Sequence, residues 1–355
     1  MSPMFVPGPV DVAPEVLAAQ AKPMMPHRSR DFDDLFRRTG ERSKELFYTQ
    51  FRVFQGPWTG SGMQEAGIRN FVRDRVLCCV NGAFASRWYD VALANGKNAD
   101  QLEVDWGFAI TPELLDKALA GHDYEAVTIV HNETSTGIEN PVKELAEVIR
   151  AHNPDTLILV DAVSSLGGTK IEMDAWGIDF LFTSSQKCLA LPPGMSLAAT
   201  HDRALKKAQH VPNRGWYFDL LLMEDHRIKN STPMTPTMPL IYALDLQLDR
   251  IQAEGLENRF LRHANMAKRV QTWAVEHGMS MVGDSKYLSK TVCCIQNNLG
   301  LSITDLNKFL LERGMRITNG YGKLKDKSFR IAAMGEIQME DVEILLSNIE
   351  EFIAR

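Results

Sequence analysis

Between about residues 60 and 200, short apolar runs alternate with segments of helical period, and nothing else in the chain constrains its fold so tightly. The runs are Val76–Val80, Val127–His131, Leu157–Val160, Ile178–Phe182 and Ser196–Thr200. Glu113–Ala120 and Pro141–His152 are among the helical segments between them. Strands that are apolar throughout, rather than at alternate residues, are buried on both faces, and the intervening helices supply the cover. An α/β fold with a mostly parallel sheet is therefore expected. Asn140 reads as an N-cap, with Pro141 in the first helical position.

After about residue 230 the pattern changes. Ser231–Pro239 is a Pro/Thr-rich loop unsuited to a helix interior. Helical period then runs from Ile241 to about His277, with a break expected at Gly255. Strands follow at Thr291–Gln296, Met315–Thr318 and Ser328–Ala332, with helices at Ser302–Arg313 and Met339–Ile353. The 355 residues suffice for a large and a small domain. The division reads as an N-terminal arm (1–20), a large domain (21–250) and a small α+β domain (251–355).

A net charge of −6 leaves no basic footprint for nucleic acid or an anionic membrane. No apolar run reaches the length of a membrane span. The N-terminus lacks the basic and apolar regions of a signal peptide. Cys78, Cys79, Cys188, Cys293 and Cys294 match neither zinc spacing nor a disulfide framework, which suits a reduced, cytoplasmic protein.

The chemistry gathers at strand ends, where sheets of this kind bind ligands. Lys187 follows the run Ile178–Phe182. Desolvation there lowers an ammonium pKa and readies the amine for a Schiff base, whereas a solvated lysine is only a surface charge. Asp161 ends the run Leu157–Val160. A lysine of this kind paired with an aspartate for a pyridinium nitrogen is what pyridoxal phosphate chemistry requires. Thr59–Ala66 is glycine-rich before a helix, and reads either as a phosphate cup or as a plain turn. Phe84 or Trp88 can stack on a flat ring or belong to the core. His131–Gly137 is a polar loop at another strand end. Arg330, inside an apolar strand, calls for a partner: a bound carboxylate or a structural salt bridge.

Taken together, these segments resemble the class V aminotransferases of the fold type I pyridoxal phosphate enzymes, and in particular the alanine/serine–glyoxylate (or pyruvate) aminotransferases. The resemblance is carried by Pro7-Gly8-Pro9, His27-Arg28, Gly60-Ser61-Gly62, His131–Gly137, Asp161–Gly168, Ser184–Lys187 with Pro192-Pro193-Gly194, and Phe329-Arg330-Ile331. It implies a seven-stranded sheet, pyridoxal 5'-phosphate as cofactor, and ping-pong transfer from a small L-amino acid to glyoxylate or pyruvate. It also implies roles. Lys187 is the Schiff-base and proton-shuttling lysine, and Asp161 holds the pyridinium nitrogen. Ser61, Gly62, Met63 and Gln186 surround the phosphate, Phe84 is the ring stacker, and Thr134 and Ser165 lie near the ring. Thr237 reaches the phosphate of a second subunit, so the site forms at a homodimer interface. Arg330 grips the substrate carboxylate, and the backbone at Gly8 closes over the substrate.

Phe84, Met63 and Met234 stand where related enzymes often carry Trp or His, a polar residue, and Tyr, which would make cofactor binding modest. Other class V reactions remain as alternatives: aminophosphonate or phosphoamino acid transamination, with His27, Arg28 and Arg30 as extra anion ligands, or a cysteine desulfurase or lyase reaction. A desulfurase needs an exposed, activated thiol, and none of the five cysteines reads as one. A non-catalytic role in a larger assembly would leave Asp161 and Lys187 unexplained.

Overall fold

The apolar runs become the middle of a seven-stranded sheet. The structure, a computed structural model, describes residues 3–355. Its first strands are β1 (Arg52–Gly56), β2 (Arg75–Val80), β3 (Asn98–Glu103) and β4 (Ala126–Val130). A short hairpin, β5 (Asn132–Glu133) and β6 (Ile138–Glu139), follows, then β7 (Leu157–Asp161), β8 (Phe180–Ser184) and β9 (Ser196–Thr200). The order across the sheet is β1-β9-β8-β7-β4-β2-β3. Strands β3, β2, β4, β7 and β8 run parallel, while β9 is antiparallel to both β8 and β1.

Every residue of β4, β7, β8 and β9 is buried, which is why they read as continuous apolar runs. Alternate side chains serve opposite faces. Ile158 and Val160 join a core built with helices α2 (Arg30–Phe47), α5 (Pro112–Leu119), α6 (Val142–His152) and α9 (Met238–Glu254). Leu157 and Leu159 join another, built with α3 (Gly60–Phe71), α4 (Ala83–Ala94) and α7 (Asp202–Ala208). Each fully buried side chain of this kind contributes about 1.5–3 kcal/mol. The edge strand β3 carries Asn98, Asp100, Gln101 and Glu103 and is partly exposed, so it has no apolar signature.

Asn140 does not cap α6. The helix begins at Val142, and the Asn140 side chain turns inward instead. It accepts from the Ile110 and Asn81 side and donates to the Val130 carbonyl at 2.7 Å, tying the end of β4 to neighbouring loops.

A second sheet, in the order β10 (Ser280–Met281), β11 (Val292–Gln296), β13 (Ser328–Ala332), β12 (Thr318–Asn319), is antiparallel throughout. It packs on α10 (Leu256–Glu276), α11 (Ile303–Glu312) and α12 (Met339–Ile353). The break between α9 and α10 falls at Gly255, whose φ of +80° suits glycine. Strand β12 is shorter and later than expected, because Met315 and Ile317 are core residues of the approach loop rather than ladder residues. No helix among the described residues is long and apolar enough to cross a membrane.

Candidate active site

Strands β7 and β8 lie side by side, and their carboxyl ends bring Asp161 and the Lys187 turn together. Both line one cavity of about 170 Å³. Asp161 is 6% exposed. Its carboxylate accepts from the Val163 amide at 2.9 Å and from the Gln64 amide group at 3.0 Å. Burial nevertheless pushes it up to about 6. Burial likewise brings the Lys187 ammonium down to about 8, and the nearby Arg330 and Arg87 charges act in the same direction. The amine donates to the Pro7 carbonyl. At Gly8, with φ +102°, an added Cβ would fall 2.6 Å from the Lys187 chain, so only glycine lets the N-terminal segment pass this close.

The N-terminus of α3 forms one end of the cavity. Thr59 caps it, accepting from the Gly62 amide at 3.1 Å. The early amides of Gly60 and Ser61 precede the helical ladder and border the cavity, where a helix N-terminus favours an anion. Arg87, from α4, donates to Ser61 Oγ at 3.1 Å and adds a full positive charge at this end. Gln186 also lines the cavity.

The Met63 side chain does not line the cavity. It is fully buried in the core, because two residues on from Ser61 a helix has turned about 200°. Gln64, three residues from Ser61, is the one that reaches Asp161. Ser165 does not line the cavity either. It is buried with its hydroxyl 2.8 Å from His131 Nδ1, and Ser164 lines the cavity in its stead.

Phe84 presents its ring to the cavity, while Trp88 is core and donates to the Gln64 carbonyl at 3.0 Å. The start of α4 is pinned by Glu133, which is wholly buried. Its carboxylate accepts from the Phe84 and Ala85 amides at 3.1 and 2.9 Å, and from the Ser135 hydroxyl at 2.6 Å. Thr134 donates to Ser164 Oγ at 2.9 Å. Gln64 Oε1 and Asn132 Oδ1 are buried with no hydrogen-bond partner among the described residues. Such orphan acceptors are costly unless something meets them.

Arg330 sits beside the cavity rather than in its wall and is 7% exposed. Its Nε donates to the Asn319 carbonyl and its Nη1 to that of Thr134, both at 3.2 Å. No carboxylate of the described residues pairs with it, so the salt-bridge reading falls away. The remaining guanidinium donors are free for a planar, two-oxygen anion.

Thr237 lies apart, in a groove of about 520 Å³ with Met24, His27 and Pro193, and its hydroxyl oxygen is buried without a partner among the described residues. Met234 packs near the α3–α4 core. Arg28 and Arg30 are exposed, with Arg30 opening α2, and the structure does not bring them to the cavity. All five cysteines are buried. Burial pushes the thiols of Cys78, Cys188 and Cys293 up to about 12 and that of Cys294 to about 11, so none offers a thiolate for desulfuration.

The arrangement suits a flat, anionic carbonyl compound: an amine at one side, a carboxylate at the floor, an aromatic face, and a helix end for a phosphate. Residues 72–342 match the sequence model of the aminotransferase class-V family. The L-aspartate–glyoxylate aminotransferase of Paracoccus denitrificans is 32% identical, over 95% of this chain and 87% of its own. The serine–glyoxylate aminotransferase of Methylorubrum extorquens is 32% identical, over 94% of this chain and 86% of its own. The alanine–glyoxylate aminotransferase of Nostoc sp. superposes with a TM-score of 0.93 at 31% identity, covering 100% of this chain and 96% of that one.

Proposed function

The chain belongs to the class V aminotransferases, and we propose that it carries the amino group of a small L-amino acid, alanine or serine, to glyoxylate or pyruvate. It is a transaminase, and its cofactor is pyridoxal 5'-phosphate. The similar enzymes named for alanine, serine and aspartate all share glyoxylate in their names, which supports glyoxylate as the acceptor. The observation that carries the reading is Arg330: a buried guanidinium without a carboxylate partner among the described residues, beside a cavity that holds Lys187 and Asp161.

The residues present fit the cofactor, since the cavity offers orphan acceptors at Gln64 and Asn132, an anion-binding helix end, and an unpaired floor carboxylate. Bound there, pyridoxal phosphate supplies a carbonyl that takes up the amino group and a ring that accepts electrons from the substrate α-carbon. Asp161 would hold the protonated ring nitrogen, and that positive charge would keep its carboxylate ionised. Phe84 would cover one ring face. The Gly60 and Ser61 amides, with Arg87 and Gln186, would hold the phosphate. Lys187 is assigned the covalent link to the cofactor and, with an amine lowered to about 8, movement of the proton at the substrate α-carbon. Arg330 orients the α-carboxylate of donor and acceptor alike. The Pro7–Pro9 segment lies over Lys187 and would shield it from water. Thr237, remote from its own cavity, is assigned to the site of a second copy, which makes the working unit a homodimer. The buried, unpaired cysteines support a reducing, cytoplasmic setting.

The test is the visible absorption of the purified protein. L-alanine or L-serine should abolish the cofactor band, and glyoxylate or pyruvate should restore it. A band unmoved by both amino acids refutes the donor class. No band, even after added pyridoxal phosphate, refutes the roles of Lys187 and Asp161.

A further inference from the structure

Tyr321 joins the ring-stacking residue to the carboxylate-binding residue. Its ring lies 5.5 Å from that of Phe84, tilted by 38°, and the Arg330 guanidinium stands 5.4 Å from its centroid. The first distance is that of two aromatic rings in contact, with no room for a methylene between them. The second is within cation–π range. Phe84 lines the cavity and Tyr321 and Arg330 stand beside it, so the three form one continuous wall at its edge.

The wall is braced from behind. Tyr321 precedes a short turn of 3₁₀ helix, Gly322–Leu324, and its carbonyl accepts from the Leu324 amide at 3.0 Å. The Asn319 side chain ties both ends of this loop, accepting from the Asp326 amide at 2.8 Å and donating to the Asp326 carboxylate at 2.6 Å. The Gly320 amide donates to the Ser328 carbonyl at 2.8 Å. Beyond Tyr321, Gly322 abuts the Trp106 ring, over which Lys323 sits at 4.6 Å. The loop that carries Tyr321 is thus held in place, although 36% of the residue is exposed. Its hydroxyl has no hydrogen-bond partner among the described residues, so the ring face, not the phenol, makes the wall.

We infer that Tyr321 is the specificity-determining residue that limits donor and acceptor to a side chain of about one carbon. The inference rests on the amino-transfer reading above. At the donor α-carbon three substituents are already committed: the carboxylate to Arg330, the proton to Lys187 and the nitrogen to the cofactor. The fourth, the side chain, is left on the open flank of Arg330, which Tyr321 closes. A methyl or hydroxymethyl group fits against the ring. A longer chain must displace a ring already in contact with Phe84 on one side and Arg330 on the other. Hydrophobic pockets discriminate by roughly 10- to 200-fold per methylene when the extra group has nowhere to go.

The experiment compares holoenzyme carrying Tyr321, Tyr321→Ala or Tyr321→Phe. With glyoxylate as acceptor, kcat/KM for L-alanine over L-norvaline should fall at least tenfold in Tyr321→Ala, through a lower KM for norvaline. It should stay within twofold in Tyr321→Phe. An unchanged ratio in folded, cofactor-loaded Tyr321→Ala overturns the proposal. A second readout needs no turnover: calorimetric titration of the holoenzymes with acetate, propionate and valerate. Affinity should drop along the series in the wild type and level off in Tyr321→Ala. If the wild type transfers amino groups from neither alanine nor serine, the functional reading fails, and the carboxylate series still decides the role of Tyr321. Parallel slopes in wild type and Tyr321→Ala would overturn it.

Discussion

Two buried charge clusters flank the Lys187 segment, and they are completed to different degrees. On one side lies Arg259, 1% exposed, at the start of α10. It donates to the carbonyls of Gly167 and Cys188 at 3.1 and 2.8 Å and pairs with Glu254 at 2.6 Å and Glu336 at 3.4 Å. Arg262 binds Glu254 and the carbonyls of Gly335 and Ile337. His263 accepts from the Gly335 amide at 3.1 Å and contacts the Arg259 carbonyl at 2.7 Å, and burial beside two arginines holds it well below its usual pKa. On the other side is the cavity, where Arg330 has only carbonyl partners and two buried acceptors have none. The carboxylates register the contrast. Burial would raise Glu336, but Arg259 and its other donors bring it down to about 2, whereas Asp161 rises to about 6. Charges that find partners within the chain brace the structure. Charges left open await a ligand. The Arg259 cluster also joins the residue after Lys187 to the turn after β13, which carries Arg330, so the braced cluster sets the spacing of the open one.

The sharpest break in this contrast is at Lys187. Lys187→Ala should leave pyridoxal phosphate binding measurable by absorption while lowering kcat by roughly 10²–10⁴ or more, the usual contribution of a positioned proton-transfer group. Turnover within tenfold of wild type would remove Lys187 from the chemistry. Next comes a paired comparison. Arg259→Leu leaves the Gly167 and Cys188 carbonyls without their donor and Glu254 with Arg262 alone, and should cost about 3–5 kcal/mol in urea unfolding. Arg330→Lys should change stability by less than about 1 kcal/mol, yet raise KM for both amino and keto acid by roughly 10- to 100-fold, since an ammonium cannot make the planar pair. If Arg330→Lys destabilises the fold as much as Arg259→Leu, the division into braced and open clusters is wrong.

How much of this the sequence discloses depends on where each residue points. Strands β4, β7 and β8 are buried on both faces and read as apolar runs, so their ends mark Asp161 and Lys187 as candidates, and the structure brings both to one cavity. Strand β3, polar and on the edge, left no such trace. Met63 and Ser165 lie one or two positions from residues that line the cavity and do not line it themselves, because a motif match fixes the segment and not the side of it that faces the cavity. Gln64 and Arg87 were discoverable: each is three residues beyond a residue assigned to the site, Ser61 and Phe84, hence on the same helical face. Tyr321 was not, because its position depends on a loop folded around Asn319 and on the meeting of two sheets distant in sequence.

The smallest effect separates the two carboxylates by pH. In the apoprotein the folded-state pKa of Asp161 lies above its unfolded value of 3.8, so its proton is bound more tightly by the folded chain. The associated stability is present in full below about pH 4 and is lost as pH rises through about 6. Asp161→Asn has no charge to bury, so its apoprotein should gain on wild type across that window, by roughly two to five degrees in Tm at pH 7, with the two converging near pH 4. Glu336 has the opposite sign: its folded pKa is depressed, so its contribution persists above the unfolded value near 4.5 and fades only as pH falls toward 2, outside the window. Adding pyridoxal phosphate should erase or reverse the advantage of Asp161→Asn, because a positive ring nitrogen converts the buried carboxylate from a cost into a partner. A gap between the two apoproteins that does not vary from pH 4 to 7 would show that Asp161 is already ionised at no expense in the empty cavity, and that this cluster is as complete as the one around Arg259.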